Sequence, residues 1–262
     1  MNSSGKIIRT ILSLSALGII LVCLAVSWGI SRSARSGTLC SGIEVSITDS
    51  TESRFVSGKD ILEYISEDYG KTEGIPVENL DLDRMEQMLD SRSAVLKSEA
   101  YCTKDGTLHI LITQRKPVMR LQKGSEGFYV DREGYIFPIR PGRSGYVVVI
   151  DGNIPLELDK TTRGKAASEK ERLWLEQLTG LVGYMDGHRI WEDNIVQIHV
   201  RENGDLVLIP REGKEKFIFG KPDRIAEKFA LMDCYYTNIV PARGNDRYRT
   251  VDVRYDRQII CK

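Results

Sequence analysis

The sequence predicts an α+β protein in three parts: an N-terminal transmembrane helix, a β-α-α-β-β unit, and a longer strand-rich α+β unit. Three observations carry this. One uncharged apolar run fills Thr10–Ser31. Over 40–120, two-residue alternation gives way to three- and four-residue spacing and then returns. From 121 to 262, short β-branched and aromatic runs dominate, broken by two helical stretches.

The 262 residues carry 37 Lys+Arg against 37 Asp+Glu, a formal charge of zero. A nucleic-acid binder needs a basic excess to neutralise phosphates, and none is visible. The charge is unevenly placed, with no acid before Glu44 and only Lys6 and Arg9 as bases before Arg32. Beyond the apolar run, 35 bases face 37 acids, so this part has no strong long-range field.

Residues 1–9 read as a cytoplasmic tail and 10–31 as the span. Its 22 uncharged residues at about 1.5 Å each reach roughly 33 Å, enough for a hydrocarbon core of about 30 Å. A cleaved signal peptide would have a shorter apolar core and a small-residue cleavage site, and SRSARSG offers a poor one. Trp28 sits where an interfacial aromatic belongs. Lys6 and Arg9 are matched by Arg32 and Arg35, so the amino terminus tips the balance toward a cytoplasmic N-terminus and an exported remainder.

A small-residue linker follows at 32–39. Ile43, Val45 and Ile47 alternate as in a half-buried strand. Ser57 and Asp60 form a capping-box pattern ahead of Ile61, Leu62, Ile65 and Tyr69 at helical spacing. A second helix is predicted from Asp81, with Leu82, Met85, Met88 and Leu89 on one stripe. Strands at 94–102 and 107–113 flank the turn signal Lys104-Asp105-Gly106.

In the second unit, strands are predicted at Phe128–Asp131, Tyr135–Pro138 and Tyr146–Ile150. Ser168 and Glu171 form a second capping box before a helix reaching Met185. Strands resume at 195–200, 206–209, 216–219 and 250–255, with a helix over 223–235 and a last strand in Arg257-Gln258-Ile259-Ile260-Cys261-Lys262. A strand at the end of the chain reads as a sheet edge, whose unpaired N–H and C=O groups a partner strand can complete.

No catalytic, cofactor or metal site is predicted. His109, His188 and His199 lack an HExxH or Cys/His partner at metal spacing, and His109 and His199 read as packing residues within strands. There is no GxSxG elbow or Walker-type loop. Cys40, Cys102, Cys234 and Cys261 are widely spaced, without a CxxC, and read as small core or surface residues. Acidic pairs such as Glu67/Asp68 and Asp81/Asp83 read as solvated charges.

Three segments carry a family likeness. Gly106-TLHILITQRKPVMRL resembles the strand that closes a POTRA domain, through Leu108, Ile110, Ile112, Arg115, Pro117 and Val118; Gln114 stands where relatives carry an acid and Met119 where they carry a small residue. Tyr129-VDREGYIFP resembles a strand–acidic turn–strand segment, and Val251-DVRYDRQIICK a terminal "(V/I)DLRY" strand pair. In that order and spacing, these segments resemble the bacterial cell-division family FtsQ/DivIB across nearly the whole chain.

The resemblance implies a POTRA-like first domain and a non-enzymatic scaffold in the cell inner membrane at the division septum. It also implies partners: other divisome proteins and the small bitopic proteins FtsB and FtsL, or DivIC. Partner contact would fall on Arg254 and Tyr255, and on Gln258, Ile259 and Ile260 of the last strand. Pro117, lacking a donor, is expected to end its strand. Alternation groups Tyr255 with Val251 and Val253, leaving it open whether Tyr255 faces a partner or the core. Two other functions fit the same elements: an anchored POTRA protein of a secretion or outer-membrane assembly system, and an anchored cell-wall enzyme.

Overall fold

The computed structural model describes residues 18–24, 26, 37–48, 55–139, 145–188, 190–244 and 247–262. The tail and most of the predicted span and linker lie outside them. Residues 18–24 and 26 are helical and exposed. Among the described residues, no helix is long and apolar enough to cross a membrane. The chain divides into two units: one runs to Thr48 and resumes over Val56–Thr113, the other joins Asp49–Phe55 to Gln114–Lys262.

The first unit has the β-α-α-β-β order that the sequence predicts. Strand β1 (Gly42–Ile47) runs parallel to β3 (Thr107–Gln114), and β2 (Val95–Cys102) flanks β3 on its other side. Helix α1 (Gly58–Tyr64) begins at the Ser57 capping box: Ser57 N donates to Asp60 Oδ2 at 2.7 Å, and Asp60 N to Ser57 Oγ at 3.3 Å. These two bonds satisfy donors that a helix start leaves orphaned. A π-helical turn, Ile65–Tyr69, extends α1 and stops at Gly70. Helix α2 (Leu82–Asp90) starts on the Asp81 cap. Ile61, Met85, Leu89, Leu108, Ile110 and Ile112 are fully buried and form the core. Gly106, at φ 88°, closes the β2–β3 hairpin, where a Cβ would lie 2.2 Å from the Leu39 carbonyl oxygen; no other residue fits.

The second unit is one ten-stranded sheet. Its strands are β4 (Pro117–Lys123), β5 (Glu126–Asp131), β6 (Tyr135–Pro138), β7 (Val148–Gly152), β8 (Gly164–Lys165), β9 (Ile195–Val200), β10 (Leu206–Pro210), β11 (Lys216–Gly220), β12 (Thr250–Asp252) and β13 (Ile260–Cys261). Their order is β13-β12-β11-β10-β9-β7-β4-β5-β6-β8. Helix α3 (Glu169–Asp186) starts at the Ser168/Glu171 capping box. Helix α4 (Ile225–Cys234) passes into a π turn, Tyr235–Ile239, and then the short α5 (Val240–Arg243).

Leu175, Leu178, Leu181, Val182 and Met185 of α3, with Phe229 and Met232 of α4, share one core with alternate strand residues. These include Met119, Leu121, Ile150, Ile198, Leu208, Phe217, Phe219 and Val251, joined by Val253 just past β12. The Trp191 indole donates to Asp233 Oδ1 at 3.0 Å. Where the helices do not lie, Phe55 packs on Tyr129 and Phe137 at 5.3 and 6.3 Å between ring centroids.

Four local expectations are corrected. Pro117 opens β4 rather than ending a strand, at a first position, where its missing donor costs no ladder bond. The strand expected over 250–255 ends at Asp252, because the Asp252 side chain takes up Arg254. The helix expected from Asp223 starts at Ile225, since Arg224 is left-handed at φ 45°. The last strand expected over 257–262 is only Ile260–Cys261, because the chain is still reversing at Arg257, at φ 52°, and Gln258 and Ile259 precede the strand. Strand β8 and helix α5 had no recognisable sequence signal.

Candidate functional site

Partner contact predicted on the C-terminal segment falls at the corner where β12 turns into β13. Strand β12 is held by parallel pairing to β11, with Phe217 opposite Val251 and Ile218 opposite Asp252. The chain leaves the sheet after Val253, whose N–H still reaches the Ile218 carbonyl at 3.1 Å.

The turn is built on Arg254. Its Nε donates to Asp252 Oδ1 at 3.0 Å and its Nη2 to Asp252 Oδ2 at 2.8 Å, a bidentate pair. Its Nη1 donates to Asp205 Oδ2 at 3.0 Å, and its carbonyl accepts from Arg224 Nη2 at 2.7 Å. Gly220 makes room for the Arg254 stem, since a Cβ there would lie 2.8 Å from Cγ. Burial acts to raise the pKa of Asp252, but the hydrogen bonds from Arg254 outweigh it and hold the carboxyl below its ordinary range. The same bonds, those to Asp252 foremost, push the guanidinium's already high pKa higher.

Tyr255 follows and is 46% exposed, while Val251 and Val253 are fully buried. Strict alternation would have grouped the three, and the bend at Arg254 separates them. The Arg254 guanidinium lies 5.8 Å from the Tyr255 ring centroid. Arg257, at φ 52°, completes the reversal into β13.

Strand β13 lies at the end of the ten-stranded sheet. Thr250 N donates to the Lys262 carbonyl at 3.0 Å and Lys262 N to the Thr250 carbonyl at 2.9 Å. In an antiparallel ladder, such doubly bonded pairs alternate with pairs whose amides point away. Cys261, opposite Val251, therefore turns its N–H and C=O outward; Ile259 stands just ahead of β13, where the same alternation, continued by one pair, would turn its amide outward too. Ile259 and Cys261 pack partly against the core, whereas Gln258 and Ile260 are exposed. Burial raises the pKa of the Cys261 thiol.

The structure thus gathers Arg254, Tyr255, Gln258, Ile259 and Ile260 at one corner. Sequence reasoning missed Asp205, Gly220 and Arg224, which shape that corner. Asp205 stands 49 positions from Arg254, and no local pattern links them. The Asn203-Gly204 turn beside it was the only available signal.

His199 is a second departure. Rather than packing, it lies on the sheet face away from the helices, with Nδ1 2.9 Å from Asp151 Oδ1. Gln197 Nε2 donates to the other oxygen at 2.7 Å. His109 stacks on Tyr101 at 5.0 Å between centroids. Among the described residues, no group of three or more His, Cys, Asp or Glu is placed to hold a metal ion.

Comparison with known proteins places both units. Residues 38–113 match the family model of the POTRA-like domain, and residues 116–262 match the one described as FtsQ/DivIB, C-terminal related. No curated protein matches the chain. Because the second match spans more than half of the sequence, and both units fall in the expected order, the chain belongs to the FtsQ/DivIB family.

Proposed function

We propose that this protein is a non-enzymatic scaffold of the bacterial division septum. It takes up a strand from a small bitopic partner of the FtsB/FtsL (DivIC) type at β13. The uncharged run Thr10–Ser31 anchors it in the inner membrane with the bulk of the chain exported. Family membership supports the division role. The observation carrying the mode of binding is the outward direction of the Cys261 amide at the sheet edge, beside exposed Ile260 and Tyr255. Main-chain hydrogen bonds there supply affinity, and flanking side chains select the partner. Tyr255 is the aromatic anchor of the contact, Gln258 and Ile260 meet the incoming strand's side chains, and Arg254 holds the turn that presents them.

Capture of the partner by the full chain in detergent micelles tests this. Ile259→Pro removes an outward N–H without touching the β12–β13 bonds and is expected to abolish capture. Tyr255→Ala is expected to weaken it about 30-fold, the loss of one interface hot spot of about 2 kcal/mol. Unchanged capture by both variants, each folded, overturns strand addition.

A further inference from the structure

The ten-stranded sheet is not alone in having an edge. Strand β2 is the last strand on its side of the first unit's sheet, but two successive outward amides at its centre are already taken. Ser98 N donates to Asp90 Oδ1 at 2.6 Å, and Ala100 N donates to Glu86 Oε1 at 2.6 Å. The Ser98 hydroxyl donates its one proton to Asp90 Oδ1 at 2.7 Å, with the Glu86 carbonyl at 3.1 Å as its alternative acceptor. Both acids come from α2.

The spacing explains how one helix does this. Glu86 and Asp90 are four residues apart, about 6 Å along a helix axis. Ser98 and Ala100 are two residues apart, about 6.8 Å along a strand. The helix therefore presents one carboxylate to each successive outward amide, where an added strand would place its carbonyl oxygens. A hydrogen bond to a charged group is worth roughly 10- to 100-fold in an equilibrium, and an incoming strand must displace two of them. Ser98, only 3% exposed, is covered as well as paired.

We propose that Glu86 and Asp90 are specificity-determining residues that close β2 to strand addition and so remove one competitor of β13. The consequence for β13 rests on the strand-addition reading; the closure of β2 does not.

The test uses the full chain in detergent micelles and a synthetic peptide of residues 95–102, a second copy of β2 able to pair with it edge to edge. In the parent chain the Ser98 and Ala100 amides are expected to exchange slowly with solvent, and the peptide not to bind. In Glu86→Ala/Asp90→Ala both amides are expected to exchange at least about 10-fold faster, then to regain protection when the peptide binds. Glu86→Gln/Asp90→Asn keeps an oxygen acceptor at each site and is expected to behave like the parent. The single variant Glu86→Ala is expected to speed Ala100 but not Ser98, which keeps the result readable if the double variant unfolds.

Parent-like exchange in the alanine variants overturns the closure. So does peptide binding to the parent, or failure to bind a folded double variant. None of these readouts involves β13, so a failed Ile259→Pro test leaves them standing, and their failure leaves strand addition at β13 standing.

Discussion

Strands β2 and β13 both end a sheet, and carboxylates stand beside both, yet the acids do opposite work. At β2, Glu86 and Asp90 accept directly from strand amides and fill the edge. At β13, Asp252 and Asp205 accept from Arg254 instead, so the acids fix the turn before the strand and leave its amides outward. A carboxylate aimed along the hydrogen-bonding direction blocks an edge, and one aimed at a neighbouring guanidinium builds one. The difference lies in where the acids are mounted: on a helix running beside β2 in one case, on β12 and the turn ahead of β10 in the other.

The largest expected effect comes from removing the shared cation of the second corner. Arg254→Ala leaves the buried carboxylates of Asp205 and Asp252 without their guanidinium partner. It is expected to destabilise the second unit by about 2 to 3 kcal/mol, below the usual cost of breaking a buried pair because about a third of the Arg254 side chain reaches water. Urea denaturation measures this. A loss under about 0.5 kcal/mol would mean the acids do not depend on Arg254, and the contrast with β2 would fail.

Gly220→Ala acts on the same corner more gently. It forces a side chain into a left-handed position at φ 76° and against the Arg254 stem, at an expected cost of about 1 to 2 kcal/mol. Partner capture is expected to weaken along with stability, because the turn that presents Tyr255 shifts.

The smallest effect is a pH dependence. The folded pKa of Asp252 lies below that of the unfolded chain, so the unfolded state binds a proton more readily. The contribution is complete above the unfolded value of about 3.9 and is lost as pH falls through the lower folded value. Parent stability is expected to fall toward Asp252→Asn as denaturation is followed from pH 6 to pH 3. A constant difference between the two across that range would show that ionised Asp252 does not stabilise the corner.

Much of the fold is legible in residues close together in sequence. The Ser57/Asp60 and Ser168/Glu171 boxes mark their helices because a cap needs partners only three positions apart. The 0% exposure of Leu108, Ile110 and Ile112 follows from their period of two. The two-residue β8 lacked such a signal, since so short a strand has no period. Tyr255 was open for a different reason: alternation holds only while a strand continues, and the Arg254–Asp252 pair ends this one.

The sequence by itself determined the type and order of the longer elements, because capping, periodicity and turn chemistry act within a few residues, and three short segments in order carried the family. The tertiary structure decided what each acid meets. Whether an acid meets a strand amide or a guanidinium depends on sheet register and on where a helix lies, and these bring Glu86 to Ala100 and Asp205 to Arg254 across separations that no local pattern spans.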